Sequence, residues 1–135
     1  MSNQLSESCS VIEECYEYML AYAGQGVSGQ SDGLIRDFLN RAALALTGLE
    51  NAYASAVPTA EPYITFREVL ARDARDSLVA VNLVLAQPAI SSQLIDNLNA
   101  SIHLRALLTD LFLIDEILKG SQASETGSAI STSEL

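Results

Sequence analysis

Apolar residues recur at alternating spacings of three and four along most of the chain, which is the pattern of amphipathic helices. In the first segment, from about residue 3 to residue 23, they are Leu5, Cys9, Ile12, Tyr16, Met19 and Ala23. The stretch GQGVSGQSDG at 24–33 then interrupts the pattern with four glycines. The sequence therefore predicts a first helix over 3–23 and a glycine-rich connection after it.

Two further helices follow, separated by the proline-containing turn VPTAEPY. The second is predicted to start near Ser31, with Ser31 as its N-cap, and to run to about Ala56. The third has the pattern of a capping box at Thr65 and Glu68, flanked by Ile64 and Val69 as a hydrophobic staple. That pattern predicts a helix that starts at Thr65 and ends before Pro88.

A fourth helix is predicted from about residue 91 to residue 119, ending at Gly120, and it carries two apolar stripes. One stripe is Leu104, Leu107, Leu108, Leu111, Ile114 and Leu118; the other is Ile95, Ile102, Ala106, Leu113 and Ile117. A polar strip of Asp96, His103 and Asp110 separates them on one side. A bundle helix needs one such stripe for its own core, so the second needs a cover of its own.

Four amphipathic segments without sustained strand-like alternation predict an all-α fold, an antiparallel four-helix bundle over residues 1–120. The segment 121–135 is rich in serine, glycine and threonine and has one isolated isoleucine. We expect it to be a short, disordered and flexible C-terminal tail.

Charge narrows the choice of partners. The chain has 17 acidic and 7 basic residues and a formal net charge of −10. Lysine and arginine are nowhere clustered, so nucleic acid and anionic membranes are not expected as partners, whereas a basic protein is. No apolar run reaches the ~18 residues of a membrane span, and the N-terminal residues do not resemble a secretory signal, so we expect a cytoplasmic protein.

Residues with possible chemistry are few. Cys9 and Cys15 are six residues apart on one predicted helix, too far apart and too differently oriented for a disulfide, and we expect them to be small core residues. Glu13, Glu14 and Glu17 lie on the outward arc of that helix. His103 is the single histidine. No metal, cofactor or catalytic residue is predicted, and we do not expect an enzyme.

Two functions remain. The first is a protein–protein interaction module, such as an adaptor, assembly factor or regulatory subunit, that acts as a homodimer through the second stripe and the Tyr18 and Tyr22 edge. The alternative is a carrier or sensor that holds a small apolar ligand between helices, in space left by the alanines of the second helix. A third possibility is that the second stripe is internal, because the fourth helix is the central one of a monomer.

Overall fold

The computed structural model describes residues 3–26 and 32–134, with side chains at 4–26 and 32–121. Within these ranges the chain is all-α, with helices packed together and no strand. The helices are α1 (Asn3–Ala23), α2 (Gly33–Ala56), α3 (Tyr63–Leu85), α4 (Ser92–Ala100) and α5 (His103–Glu134). The all-α prediction is therefore confirmed, whereas the predicted count of four helices is wrong for this part of the chain, which forms five.

The apolar periodicity of α1 predicts its bounds and most of its buried face correctly. The buried positions are Leu5, Cys9, Ile12, Cys15, Met19 and Tyr22. After Ala23 the chain turns through Gly26, which has a positive φ of 68°. Glycine tolerates this conformation because it lacks a Cβ atom, so the helix can end there.

The start of α2 differs from the prediction. Ser31, the predicted N-cap, lies outside the described residues, and Asp32 occupies the N-cap position without a side-chain cap hydrogen bond. Its Oδ2 instead accepts the backbone N–H of Ile90 at 2.9 Å and pairs with Arg36 at 3.2 Å. Arg36 also donates to the carbonyl oxygens of Leu85 and Gln87. The first turn of α2 is thereby tied to the connection that follows α3.

The predicted capping box of α3 is wrong. The helix starts at Tyr63, with Pro62 as N-cap, so Thr65 lies inside the first turn. The Thr65 hydroxyl and N–H both donate to Glu61 Oε2, at 2.6 and 3.3 Å. Glu61, which precedes the helix, thus accepts the Thr65 N–H that the predicted capping box assigned to the Glu68 side chain.

The predicted fourth helix is broken at Ser101 and Ile102. The Ser101 hydroxyl bonds the carbonyl oxygen of Leu98, and Ile102 has a positive φ of 65°. A β-branched residue rarely adopts this left-handed conformation. The break separates a short α4 from a long α5, so Asp96 no longer shares a helix with His103 and Asp110.

The helices close a ring in which α1 packs on α2, α2 on α3, α3 on α5, and both α4 and α5 on α1. Arg67 of α3 binds Glu50 of α2, while Arg36 near the start of α2 reaches the end of α3, so these two helices are antiparallel. The α5 contribution to the core is the stripe that was predicted, with Leu104, Leu107, Leu108, Leu111 and Ile114 buried.

The predicted tail at 121–135 falls almost entirely on residues whose side chains lie outside the described part of the structure. The helical assignment of α5 runs to Glu134. The division at residue 120 into a packed domain and a flexible tail stays a prediction.

Candidate functional site

A surface groove runs between the first half of α3 and the middle of α5. It has a volume of about 460 Å³. Its lining residues are Tyr63, Phe66 and Val69 from α3 and Leu113, Ile114 and Ile117 from α5, together with Pro62 and Thr65 near the start of α3. We call it the α3/α5 groove. Apart from Thr65, the lining side chains are apolar or aromatic.

The floor of the groove and its α3 side are held in place by packing against the core. Ile114 is buried and forms the floor. The Tyr53 hydroxyl of α2 donates to the carbonyl oxygen of Tyr63 at 2.8 Å, and the Tyr53 ring lies 6.4 Å from that of Phe66. These contacts fix the first two turns of α3 against the core, so the groove is a formed feature of the fold.

Three aliphatic residues of the groove are left in contact with water. Val69 is 40% exposed, Leu113 is 52% exposed and Ile117 is 41% exposed. A single exposed aliphatic side chain is ordinary, but three that line one concave surface form an apolar patch that the described side chains leave uncovered.

The residues predicted to form an interface are separated by the fold. Ile95 and Tyr22 are buried, and the Tyr22 hydroxyl donates to the carbonyl oxygen of Ile90. Tyr18 is partly buried and stacks on Phe38 of α2, with ring centroids 4.5 Å apart. Tyr22 and Ile95 are therefore corrected from interface residues to core residues, because α1 and α4 pack on each other inside one chain.

The remaining members of the predicted interface lie on the outside of the fold. Leu113 and Ile117 line the α3/α5 groove. Ile102 is exposed at the break between α4 and α5, and Ala106 is half-buried one turn later. The tyrosine edge lies beside Ile90, past the carboxyl end of α3, whereas the groove lies at its amino end. A helix of 23 residues, about 34 Å long, separates them, so they do not form one surface.

The α3 half of the groove was missed at the sequence level. Phe66 fitted the core stripe of the third helix, and Val69 fitted the hydrophobic staple. The available signal was the excess of apolar residues at the start of α3, which no single helical stripe accounts for.

A pair of carboxyl groups lies at one end of the groove. Asp73 follows the lining residue Val69 by one turn of α3, and Asp110 precedes Leu113 and Ile114 by one turn of α5. The Asp110 carboxyl lies within hydrogen-bonding range of Asp73. No N–H or O–H of the described chain donates to the buried Oδ2 of Asp110.

Burial and the neighbouring carboxyl both disfavour the charged form of Asp110. Removal from water raises the pKa of Asp110 most, and the hydrogen bond and negative charge of Asp73 raise it further, to about 7. Two carboxyl groups in contact bind one proton between them, because two negative charges at this separation repel strongly. Of the predicted polar strip, Asp110 is thus paired with α3, while Asp96 is exposed on α4 and His103 is half-buried at the start of α5.

The rim of the groove is acidic. Glu61 binds Thr65 at the end near the start of α3, Glu116 is exposed beside Ile117, and the Asp73 and Asp110 pair lies one helical turn beyond Val69 and Leu113. Arg67 of α3 and Lys119 of α5 have acidic partners of their own: Arg67 binds Glu50 at 3.1 Å and Lys119 binds Asp115 at 2.9 Å. The groove therefore combines an apolar floor with acidic side chains around it.

The cysteines are core residues, as predicted. Cys9 and Cys15 are both free and buried. Burial, with smaller effects from Glu13 and Asp115, raises the pKa of the Cys9 thiol to about 11, and burial raises the pKa of the Cys15 thiol to about 12. Neither thiol forms the thiolate that nucleophilic chemistry needs at neutral pH.

The side chains of the described ranges contain no group of three or more His, Cys, Asp or Glu residues placed to hold a metal ion. In the same ranges, every helix is too short or too polar to cross a membrane.

Comparisons with known proteins give no relative to guide the interpretation of this site. No family model matches the chain, and searches of curated proteins and of solved structures found no similar protein.

Proposed function

We propose that this protein is a protein–protein interaction module that binds a basic amphipathic helix of a partner protein in the α3/α5 groove. The observation that carries the proposal is the groove itself, an apolar channel with an acidic rim. Peptide-binding grooves of this kind accept the apolar face of a helix at positions i, i+3 or i+4, and i+7.

The dimensions fit such a helix. The lining residues of α3 run from Tyr63 to Val69, nearly two turns, which corresponds to about 9 Å of helix axis. Covering Val69, Leu113 and Ile117 would remove about half of each side chain from water, a gain of about 1 kcal/mol for each. Gains of that size suit a reversible complex in which lysine or arginine contacts at the rim add affinity and select the partner.

Charge favours a different protein over a second copy of this chain. A homodimer through the groove would bring two acidic rims together, and each chain has a net charge of −10. The positive side chains of a basic helix would be attracted to the same acidic rim. The homodimer predicted from the apolar stripes is therefore an alternative, and the test below must distinguish a second copy in the groove from a partner helix.

The carrier of a small apolar ligand is less well supported. Sites for small ligands enclose most of the ligand surface. The α3/α5 groove is open along one side, so a small ligand would remain in contact with water, whereas a helix would present its polar face there.

The test uses a fluorescently labelled helical peptide with leucines on one face and lysines on the other, titrated with the full chain. We expect saturable binding with a Kd of about 1–100 μM, weakened at least about tenfold by Leu113→Glu. The matched control is Leu44→Glu, which adds the same charge at a leucine of α2 that is 77% exposed and outside the groove. Because an added glutamate attracts a basic peptide, a loss specific to Leu113→Glu reports the apolar contact.

Two results would overturn the proposal. One is the absence of binding, or equal binding by the two glutamate variants. The other is a stable dimer in light scattering that Leu113→Glu dissociates and Leu44→Glu does not, which would assign the groove to a second copy.

A further inference from the structure

We infer that α5 is an element that two copies of this chain exchange at high protein concentration. In the exchanged state the break at Ser101 and Ile102 is straightened, and α5 of each copy packs on α1 and α3 of the other. The product is a domain-swapped homodimer in which α4 and α5 form one continuous helix. This inference goes beyond the proposed function, because it concerns the assembly of the chain and not the occupant of the α3/α5 groove.

The unfavourable geometry of the break is the first argument. Ile102 has a positive φ of 65°, a left-handed conformation that β-branched L-residues rarely adopt. Three residues earlier, the buried Oδ1 of Asn99 receives no N–H or O–H donor from the described part of the chain. Buried polar atoms are ordinarily paired. Two features therefore disfavour the bent connection, and a short hinge under strain favours the exchange of elements between copies.

The sequence around the break is compatible with a continuous helix, which is the second argument. Neither glycine nor proline occurs at 89–119. In the bent form the N–H of Ile102 donates to the carbonyl oxygen of Asn99, only three residues earlier, at 3.1 Å. Straightening would pair the N–H groups of residues 103–105 with the carbonyl oxygens of residues 99–101, as in any α-helix. The straight form thus gains backbone hydrogen bonds and loses the left-handed residue.

The buried face of α5 determines what must cover it once the hinge is straight. α5 packs on α3 and α1, whereas α4 packs mainly on α1. Straightening while α4 stays on α1 moves α5 away from α3 and uncovers its core residues, which are Leu104, Leu107, Leu108, Leu111 and Ile114. The site that α5 leaves is identical in a second copy, so exchange buries the same side chains again. A second copy is therefore the occupant that fits without any new surface.

Protein concentration and salt set the balance between the two states. The dimer gains the relief of two hinges and loses the translational freedom of one chain. Each chain has a formal net charge of −10, which opposes association and is screened by salt. The dimer fraction should therefore rise with protein concentration and with ionic strength.

The experiment refolds the full chain from urea at micromolar and at millimolar concentration, in moderate salt. Gel filtration with light scattering then gives the mass of each product. Ile102→Gly and Ile102→Ala are the matched variants, because both remove the isoleucine side chain and only glycine adopts the left-handed conformation freely.

We expect monomer from the micromolar samples and a dimer from the millimolar samples of the wild type and of Ile102→Ala. Glycine at this position should lower the dimer association constant about 100-fold relative to alanine, since each of two hinges contributes about tenfold. Leu113→Glu should leave this dimer intact, because Leu113 is 52% exposed and outside the core face of α5. That result distinguishes the exchanged dimer from one that forms through the groove.

The exchange of α5 itself is tested on dimers prepared from a mixture of isotope-labelled and unlabelled chains. Phe66 of α3 and Ile114 of α5 line the same groove. In the exchanged dimer these two residues belong to different chains, so an isotope-filtered NOE experiment should detect contacts between a labelled and an unlabelled chain.

Three results would overturn the inference. The first is a wild-type chain that stays monomeric after refolding at millimolar concentration. The second is an equal loss of the dimer in Ile102→Gly and Ile102→Ala, which would assign association to the isoleucine side chain. The third is a dimer whose NOEs between Phe66 and Ile114 arise within one chain, since two unexchanged copies then lie side by side.

Discussion

Asp110 of α5 and Asp73 of α3 place their carboxyl groups against each other across the contact between the two helices. The contact is favourable while the pair holds a proton and unfavourable once both groups are ionised. A structural contact between two helices is thereby linked to the pH of the solution.

This linkage predicts that the free protein loses stability as the pH rises. Since the folded-state pKa of Asp110 is raised from 3.8 to about 7, its contribution is fully present below pH 4 and is lost as the pH rises through 7. In Asp110→Asn the amide donates a hydrogen bond without titrating, so the free energy of unfolding should change less between pH 5 and pH 8. Urea unfolding followed by circular dichroism, at pH 5 and at pH 8, measures the free energy of unfolding of the wild type and of the variant. A variant with the slope of the wild type would show that the pair does not titrate in this range.

The two faces of α5 should respond differently to a buried charge. Leu107 and Leu111 are fully buried, so glutamate at either position places an unpaired carboxylate in the core and should cost about 4 kcal/mol or more, a large part of the stability of an ordinary domain. Leu113→Glu should change the free energy of unfolding by about 0.5 kcal/mol or less, because its side chain already reaches water. Thermal and urea melts compare the three variants; a Leu113→Glu chain that is unfolded at 25 °C would contradict the assignment of the groove to the surface.

Arg36 should contribute more to stability than another arginine with a similar ion pair. Arg36 joins Asp32 to the carbonyl oxygens of Leu85 and Gln87, whereas Arg67 makes an exposed pair with Glu50. We expect Arg36→Ala to lower the free energy of unfolding by about 2 kcal/mol and Arg67→Ala by about 0.5 kcal/mol. Equal losses in urea unfolding would mean that the tie between α2 and the α3–α4 connection is weak.

The break between α4 and α5 should become more favourable when glycine replaces Ile102. Ile102 has a φ of 65° and is 52% exposed, so the variant relieves backbone strain and gives up little burial. The strain of a left-handed L-residue is about 1–2 kcal/mol, partly offset by the greater unfolded-state entropy of glycine. We expect a net stabilisation of about 0.5 kcal/mol in thermal and urea melts. A destabilisation above about 1 kcal/mol would indicate a continuous helix at this point.

Local patterns predicted the parts of this fold that local forces determine. The alternation in α1 predicted its bounds and four of its buried residues, whereas Cys15 and Tyr22 are buried in place of the neighbouring Tyr16 and Ala23. The break at Ile102 was not predictable in this way, since no glycine or proline marks it and the packing of α4 on α1 overrides the helical preference of the segment. The capping pattern at Thr65 failed for a similar reason, because Glu61 already satisfies the N–H of Thr65.

The candidate site was predictable only in its α5 half. Leu113 and Ile117 were identified because they exceeded what one core stripe requires. Their partners Phe66 and Val69, and Asp73 beside Asp110, come from α3 and lie 37 or more residues away in sequence. Periodicity along one helix carries no information on which residues of another helix lie beside it, so the groove and the carboxyl pair required the three-dimensional packing.

The most direct test of the docking groove is a titration of the full chain, methyl-labelled for NMR, with the lysine-faced peptide. The account predicts that the methyl signals of Val69, Leu113 and Ile117 shift progressively and saturate together, while those of Leu44 and Leu20, exposed on α2 and α1, stay in place. Shifts centred on Leu44 or Leu20, or no shift at a peptide concentration in the millimolar range, would contradict the assignment of the α3/α5 groove as the binding surface.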